Sequence, residues 1–151
     1  MAFLRVSGLP NVQMFVKTAS TALDANGFVK LSSGQLVAST NDDVNALGLC
    51  METIKSTDGD YATARPVAVD MVDGEDVLLG DVSGTALATT SVGLFFDFAD
   101  DLHADGAEGS AFTGGASGTA GPLLCIGFIS TTQGYFVLAS SYLNAQVNPT
   151  S

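Results

Sequence analysis

Short runs of alternating apolar and polar residues recur along this chain, each ending at Gly, Asn, Asp or Pro. A period of two is the pattern of a half-buried strand, and no amphipathic run of helical length stands out against it. "NVQMFVKTAS" sets Val12, Met14 and Val16 on one face and Gln13, Phe15 and Lys17 on the other. "FVKLSSGQLVAS" reads as two short strands around Ser32-Ser33-Gly34-Gln35. A strand is expected over Ala46 to Ile54, with Asn41 or Asp42 placed to cap one helical turn ahead of it. "RPVAVDMV" and "EDVLLGDVSG" flank Asp73-Gly74, a hairpin signal. "SVGLFFDF" puts Val92, Leu94, Phe96 and Phe98 on one face, and "LLCIGFIS" and "YFVLASS" follow, joined by Thr131-Thr132-Gln133-Gly134.

Roughly nine or ten short strands at this spacing predict an all-β fold, a mainly antiparallel β-barrel or sandwich. The chain of 151 residues suits a single domain. Residues 1–15 read as an N-terminal arm or an edge strand, 12–143 as the β domain, and 144–151 as a flexible tail. "ALGLC", "SVGLF" and "CIGFI" each set Gly before a bulky apolar residue, where a strand Gly marks a bulge or a close backbone approach.

Hydrophobic residues make up 46% of the chain and charged ones 14%, the reverse of a disordered composition. Net charge is −11, and the basic residues Arg5, Lys17, Lys30, Lys55 and Arg65 are scattered. Binding to nucleic acid needs a clustered positive surface, so neither nucleic acid nor an anionic membrane is an expected partner. "MAFLRVSGLP" does not read as a secretory signal, and no apolar run reaches membrane-spanning length. Cys50 and Cys125 lie in the apolar runs "LGLCME" and "LLCIGF" and read as buried free thiols.

The motifs assemble no chemistry. "DDLHADGAEG" spaces Asp101, His103, Asp105 and Gly106 like the start of a calcium loop, but Phe112 stands where the bidentate Glu is needed. It reads as a solvated acidic turn, with a non-EF calcium site through Asp100, Asp101 and Asp105 as the alternative. His103 is the single histidine, with neither a zinc ligand set nor a nucleophile elbow around it. Carboxylate pairs such as Asp97 with Asp100, or Asp70 with Asp73, lack the aromatic platforms expected of a glycosidase, since the chain has no Trp. "GSAFTGGASGTAGP" has no Lys and no dinucleotide register, and belongs to a long Gly/Ser/Thr-rich excursion over 99–121. Catalytic residues, cofactors and metal ligands are therefore expected to be absent. Phe3, Leu4, Val6, Leu9 and Phe15 carry apolar surface near the N-terminus and are the candidate partner contacts, unless this segment is an ordinary first strand in the core.

In layout, "TALDANGFVKLSSGQLVAST", "ALGLCME", "RPVAVDMVDGEDVLLGDVSG", "TSVGLFFDF" and "LLCIGFIS" resemble the small β-rich head decoration (cement) proteins of tailed bacteriophages, over roughly Val12 to Ser140. The 99–121 excursion is longer than the family pattern. The resemblance implies a non-enzymatic virion protein. It would be made in the host cytoplasm and bound to the outer surface of the capsid, where it contacts the major capsid protein and itself, commonly as a homotrimer. Two rival readings are a calcium- or glycan-binding β-module of an adhesin or tail fibre, and a small hydrolase.

Overall fold

A computed structural model of the chain describes residues 2–40, 46–106 and 122–138. Among these residues the fold is all-β, two packed sheets with one 3₁₀ turn at Thr89–Ser91. The strands are β1 (Phe3–Ser7), β2 (Val12–Val16), β3 (Phe28–Ser32), β4 (Gln35–Ala38), β5 (Gly48–Cys50), β6 (Pro66–Met71), β7 (Val77–Ser83), β8 (Phe95–Phe96), β9 (His103–Asp105), β10 (Leu123–Ser130) and β11 (Gln133–Leu138). One sheet runs β1-β7-β11-β10-β8, and the other β2-β6-β5-β3-β4. Every pairing within these two orders is antiparallel. β9 lies parallel to β7, taking up the edge of β7 beyond the reach of β1.

The architecture is a sandwich and not a closed barrel, although Lys17 bridges Leu36 and draws the edges of the second sheet together at one end. Between the sheets lies a core of Phe3, Phe28, Leu49, Val72, Leu78, Phe96, Phe98, Leu123 and Phe136. Phe3 stands edge-on to Phe28, with ring centroids 4.7 Å apart. A second cluster, with Leu23, Val29, Leu36, Cys50, Ile54, Val67 and Val69, covers the opposite face of the second sheet. Buried on both faces, β5 is apolar throughout and does not alternate.

Two hairpins form where the sequence places them. Ser33 and Gly34 both have positive φ, 50° and 81°, as the turn between β3 and β4 requires, and Ser32 pairs with Gln35. β10 and β11 close around Thr131 and Thr132, with Gln133 and Gly134 already in the strand.

Other expectations need correction. Asp73-Gly74 is a corner between the sheets, not a hairpin, because β6 and β7 belong to different sheets. The Asp73 N–H donates to Asp76 Oδ2 (2.9 Å) and the Glu75 N–H to Asp73 Oδ1 (2.9 Å), so aspartate side chains shape the corner. The strand over Ala46 to Ile54 shrinks to Gly48–Cys50 plus a bridge from Ile54 to Leu23. Val92 is exposed and does not join Phe96 and Phe98 in the core, because Gly93, at φ 89°, breaks the run. His103–Asp105 form β9, so the long excursion begins later than expected; 107–121, the candidate cap at Asn41 or Asp42, and the tail 144–151 lie outside the described residues.

Candidate interaction surface

The N-terminal segment resolves into an edge strand, and strand alternation then decides which of its residues reach outward. Phe3 faces inward, fully buried, with its ring against Gly80. Leu4 and Val6 face outward and are 43% and 47% exposed. Val6 occupies a bulge, which re-aims a side chain. Leu9, beyond the strand, is 88% exposed. Phe15 packs against the second cluster. Of the five candidate contacts, Leu4, Val6 and Leu9 are thus available to a partner, whereas Phe3 and Phe15 belong to the packing.

Leu4 also opens a larger surface. It pairs with Leu79, Leu79 with Tyr135, and Tyr135 with Gly127, making one row across β1, β7, β11 and β10. A second row runs from Val137 through Leu124 to Phe95 on β8. Their neighbours Leu78, Phe136, Leu123 and Phe96 are buried, so both rows point away from the core. A sheet with one face on the core ordinarily presents polar residues on the other. Here the outward positions are Leu, Val, Tyr and Phe. The first polar pair beyond them is Asp81 with Gln133, whose Nε2 donates to Asp81 Oδ1 at 3.0 Å. Ile126, at a bulge in β10, is exposed as well.

A second apolar strip lies on the other sheet. The Val12, Met14 and Val16 face is the solvent face of β2, while Lys17 turns inward and is buried. Opposite them on β6 stand Asp70, Ala68 and Pro66. Met51 extends the row, since its N–H donates to the Ala68 carbonyl (3.1 Å). Met14 and Met51 are both more than half exposed.

The polar groups nearby are structural. Lys17 Nζ donates to the carbonyls of Tyr61 (2.7 Å) and Thr18 (3.3 Å). Arg65 holds Glu52 (2.8 Å) and also Asp60, and its hydrogen bond keeps the Glu52 carboxyl below the usual range. The acidic stretch is only partly a solvated turn. Asp100 is open, with His103 Nδ1 2.9 Å from its Oδ1, but Asp97 is buried and Asp101 Oδ2 has no contact with solvent. Among the described residues no three His, Cys, Asp or Glu side chains gather as a metal-binding set. Cys50 and Cys125 are free and buried, and burial pushes the Cys50 thiol up from its ordinary value. No helix among the described residues is long and apolar enough to cross a membrane.

Comparison of the chain with known protein families and with curated proteins gives no match. The surface itself is the feature that carries functional information. Sequence reading found its N-terminal edge and missed its centre. The available signal was the run of apolar residues at both parities in "VLLG", "LLCIGFI" and "YFVL".

Proposed function

We propose that this chain is a structural, non-enzymatic virion protein that decorates the outside of a tailed-phage head and strengthens contacts between capsomers. The observation that carries the reading is the uncharged outward face of the first sheet, around Leu4, Leu79 and Tyr135, on a chain of net charge −11. Contiguous exposed apolar surface marks a protein contact. Like-charged copies repel, so they meet best through a face without charge. The separate strip of Val12, Met14 and Val16 provides a second contact, as a protein needs when it touches both its own copies and a shell. Burying such side chains contributes roughly 1.5–3 kcal/mol each when burial is complete. The homotrimer and the major capsid protein as partners come from the resemblance in layout. Acidic charge suits an exterior position, away from packaged nucleic acid, and complements basic patches on a shell with a salt-dependent attraction.

The test is to mix the purified chain with expanded, undecorated heads and measure occupancy, with the mass of the free protein read by sedimentation. Saturable binding by an oligomer is expected. A monomer that leaves heads bare overturns the proposal.

A further inference from the structure

The two edges of β10 are paired unequally. β11 runs along one edge from Leu123 to Ser130. On the other edge β8 covers only Leu123 and Leu124. The chain just before β8 adds Cys125, whose N–H donates to the Leu94 carbonyl (3.0 Å) and whose carbonyl accepts from the Gly93 N–H (2.8 Å). From Ile126 to Ser130 no strand among the described residues borders that edge. An open edge offers backbone donors and acceptors to any extended chain, and proteins ordinarily guard it with a Lys, a Pro or a bulge.

β10 and β11 contain no charged residue and no proline. The open stretch exposes Ile126, Phe128 and Ile129. Two bulges bend it and leave Ile126 and Ile129 without a cross-strand partner on β11. They shorten the reach open to a partner and set an exposed isoleucine at each end of Gly127-Phe128. A Cβ at Gly127 would lie 2.8 Å from Tyr135 Cδ2, so the Tyr135 ring covers this glycine and steadies the edge.

The charge of the chain is distributed in the same sense. All sixteen acidic residues, the five basic ones and the histidine lie within residues 1–108, and none lies in 109–151. Copies of a chain with net charge −11 repel wherever charged surfaces meet, and least where neither brings a charge. A second copy presents the same uncharged edge, and a two-fold axis lets one patch serve both partners. We propose that the open edge of β10, from Ile126 to Ser130, pairs antiparallel with the same edge of a second copy, so that the first sheet continues from one molecule into the other. Backbone groups on the two edges then satisfy each other, and the exposed apolar side chains pack across the axis. The contact joins units in twos: two single chains, or two trimers where the outward face has already gathered three. It needs no shell and stands apart from the head-decoration reading.

The experiment uses the full chain alone, with sedimentation equilibrium over a range of concentrations and amide hydrogen exchange at the two ends of that range. Paired units are expected, with amides between Ile126 and Ser130 exchanging more slowly where the pair is populated. Ile129→Lys should weaken pairing by at least about tenfold. It lowers the net negative charge, so general repulsion alone would predict the opposite. Leu9→Lys makes the same change of charge on a residue that is 88% exposed and off this edge, and should pair at least as well as the parent. Should Ile129→Lys fail to fold, Phe128→Lys serves instead. A mass that stops at one or at three chains overturns the proposal, as does an Ile129→Lys protein that pairs like the parent or a Leu9→Lys protein that is weakened equally. Amides over 126–130 that are equally protected at every dilution of a single chain also overturn it, because a segment of the same chain then covers the edge.

Discussion

Arg5 and Asp70 form a two-point ion pair that ties the edge strand of one sheet to the middle of the other. Arg5 Nε donates to Asp70 Oδ2 at 3.0 Å and Nη2 to Oδ1 at 2.8 Å, while Nη2 also reaches the Met71 carbonyl (3.0 Å). Nη1 faces Asp76 at the corner between β6 and β7. Both side chains of the main pair are largely buried, with 9% and 14% exposure. Removing one partner of such a pair strands the other charges away from water. Arg5→Ala is expected to cost about 3 kcal/mol by chemical denaturation. Arg5→Lys should recover only part, because an ammonium cannot reproduce the fork.

Gly48 gives a sharper steric test. A Cβ there would sit 2.2 Å from the Asp70 carbonyl oxygen and 2.7 Å from the Met71 Cα, which are backbone atoms of the neighbouring strand. Neither can rotate away. Gly48→Ala is expected to lower stability by about 2 kcal/mol or more, in the range of overpacked cores, and a melting curve within about 1 °C of the parent would contradict this.

Strand periodicity made the class of fold legible, because alternation reports a half-buried strand whatever its partner is. Turn chemistry made the Ser33-Gly34 hairpin legible for the same local reason. Partner choice was not legible. Asp73-Gly74 carries a hairpin's residues, yet the chain changes sheets there, and what holds that corner is Arg5, about seventy residues away in sequence. The side on which a strand meets solvent was equally hidden. Val12, Met14 and Val16 look like a core face by composition, but the inner face of β2 is filled by Phe15 and the buried Lys17. Asp101 shows the same limit at smaller scale: its acidic neighbours suggest a wet turn, and only packing around Gly27 shuts its oxygen away.

The thiols offer a test of packing without a mutation. Cys50 and Cys125 are almost fully buried, and burial raises the Cys50 thiol, so little thiolate is available near neutral pH. Native protein is expected to leave both unmodified by a thiol reagent for as long as it remains folded, and both should react on addition of denaturant. Fast native labelling at either position would show that its cluster opens.

Stability against pH follows from the Asp101 carboxyl. Its value in the fold, about 7, lies above the ordinary 3.8. Between these values the folded chain holds a proton that the unfolded chain has released, so stability falls as pH rises from about 4 to about 7 and levels off above. Glu52, held below 4.5 by Arg65, acts in the opposite sense: its contribution is present above its ordinary value and is lost as pH falls. Calorimetry at about pH 5 and about pH 8 isolates the first trend, because the Glu52 trend lies below this window and Asp101→Asn removes the Asp101 one. A parent and a variant with parallel profiles would dismiss the Asp101 effect.

The outward face of the first sheet is testable apart from the fold. Tyr135 lies near its centre, paired with Leu79 on one side and Gly127 on the other, and is 37% exposed. Leu4 lies at its edge, so a charge there meets solvent in a lone chain and meets a neighbour in an assembly. Leu4→Glu and Tyr135→Glu should therefore change the stability of an isolated chain by about 1 kcal/mol or less, since neither site is in the core. In an assembled protein each adds a negative charge to a face that already belongs to an acidic chain, and each desolvates that charge without a partner. The expected result is a fall in association of at least about tenfold, corresponding to about 1.4 kcal/mol per contact, with the melting curve of the dilute protein nearly unchanged. Sedimentation equilibrium reads the first quantity and circular dichroism the second. Met14→Glu on the other strip separates the two surfaces: loss of head occupancy with the oligomer intact assigns that strip to the shell. If all three variants associate and bind like the parent, the apolar faces take no part in assembly, and the decoration reading loses its physical support.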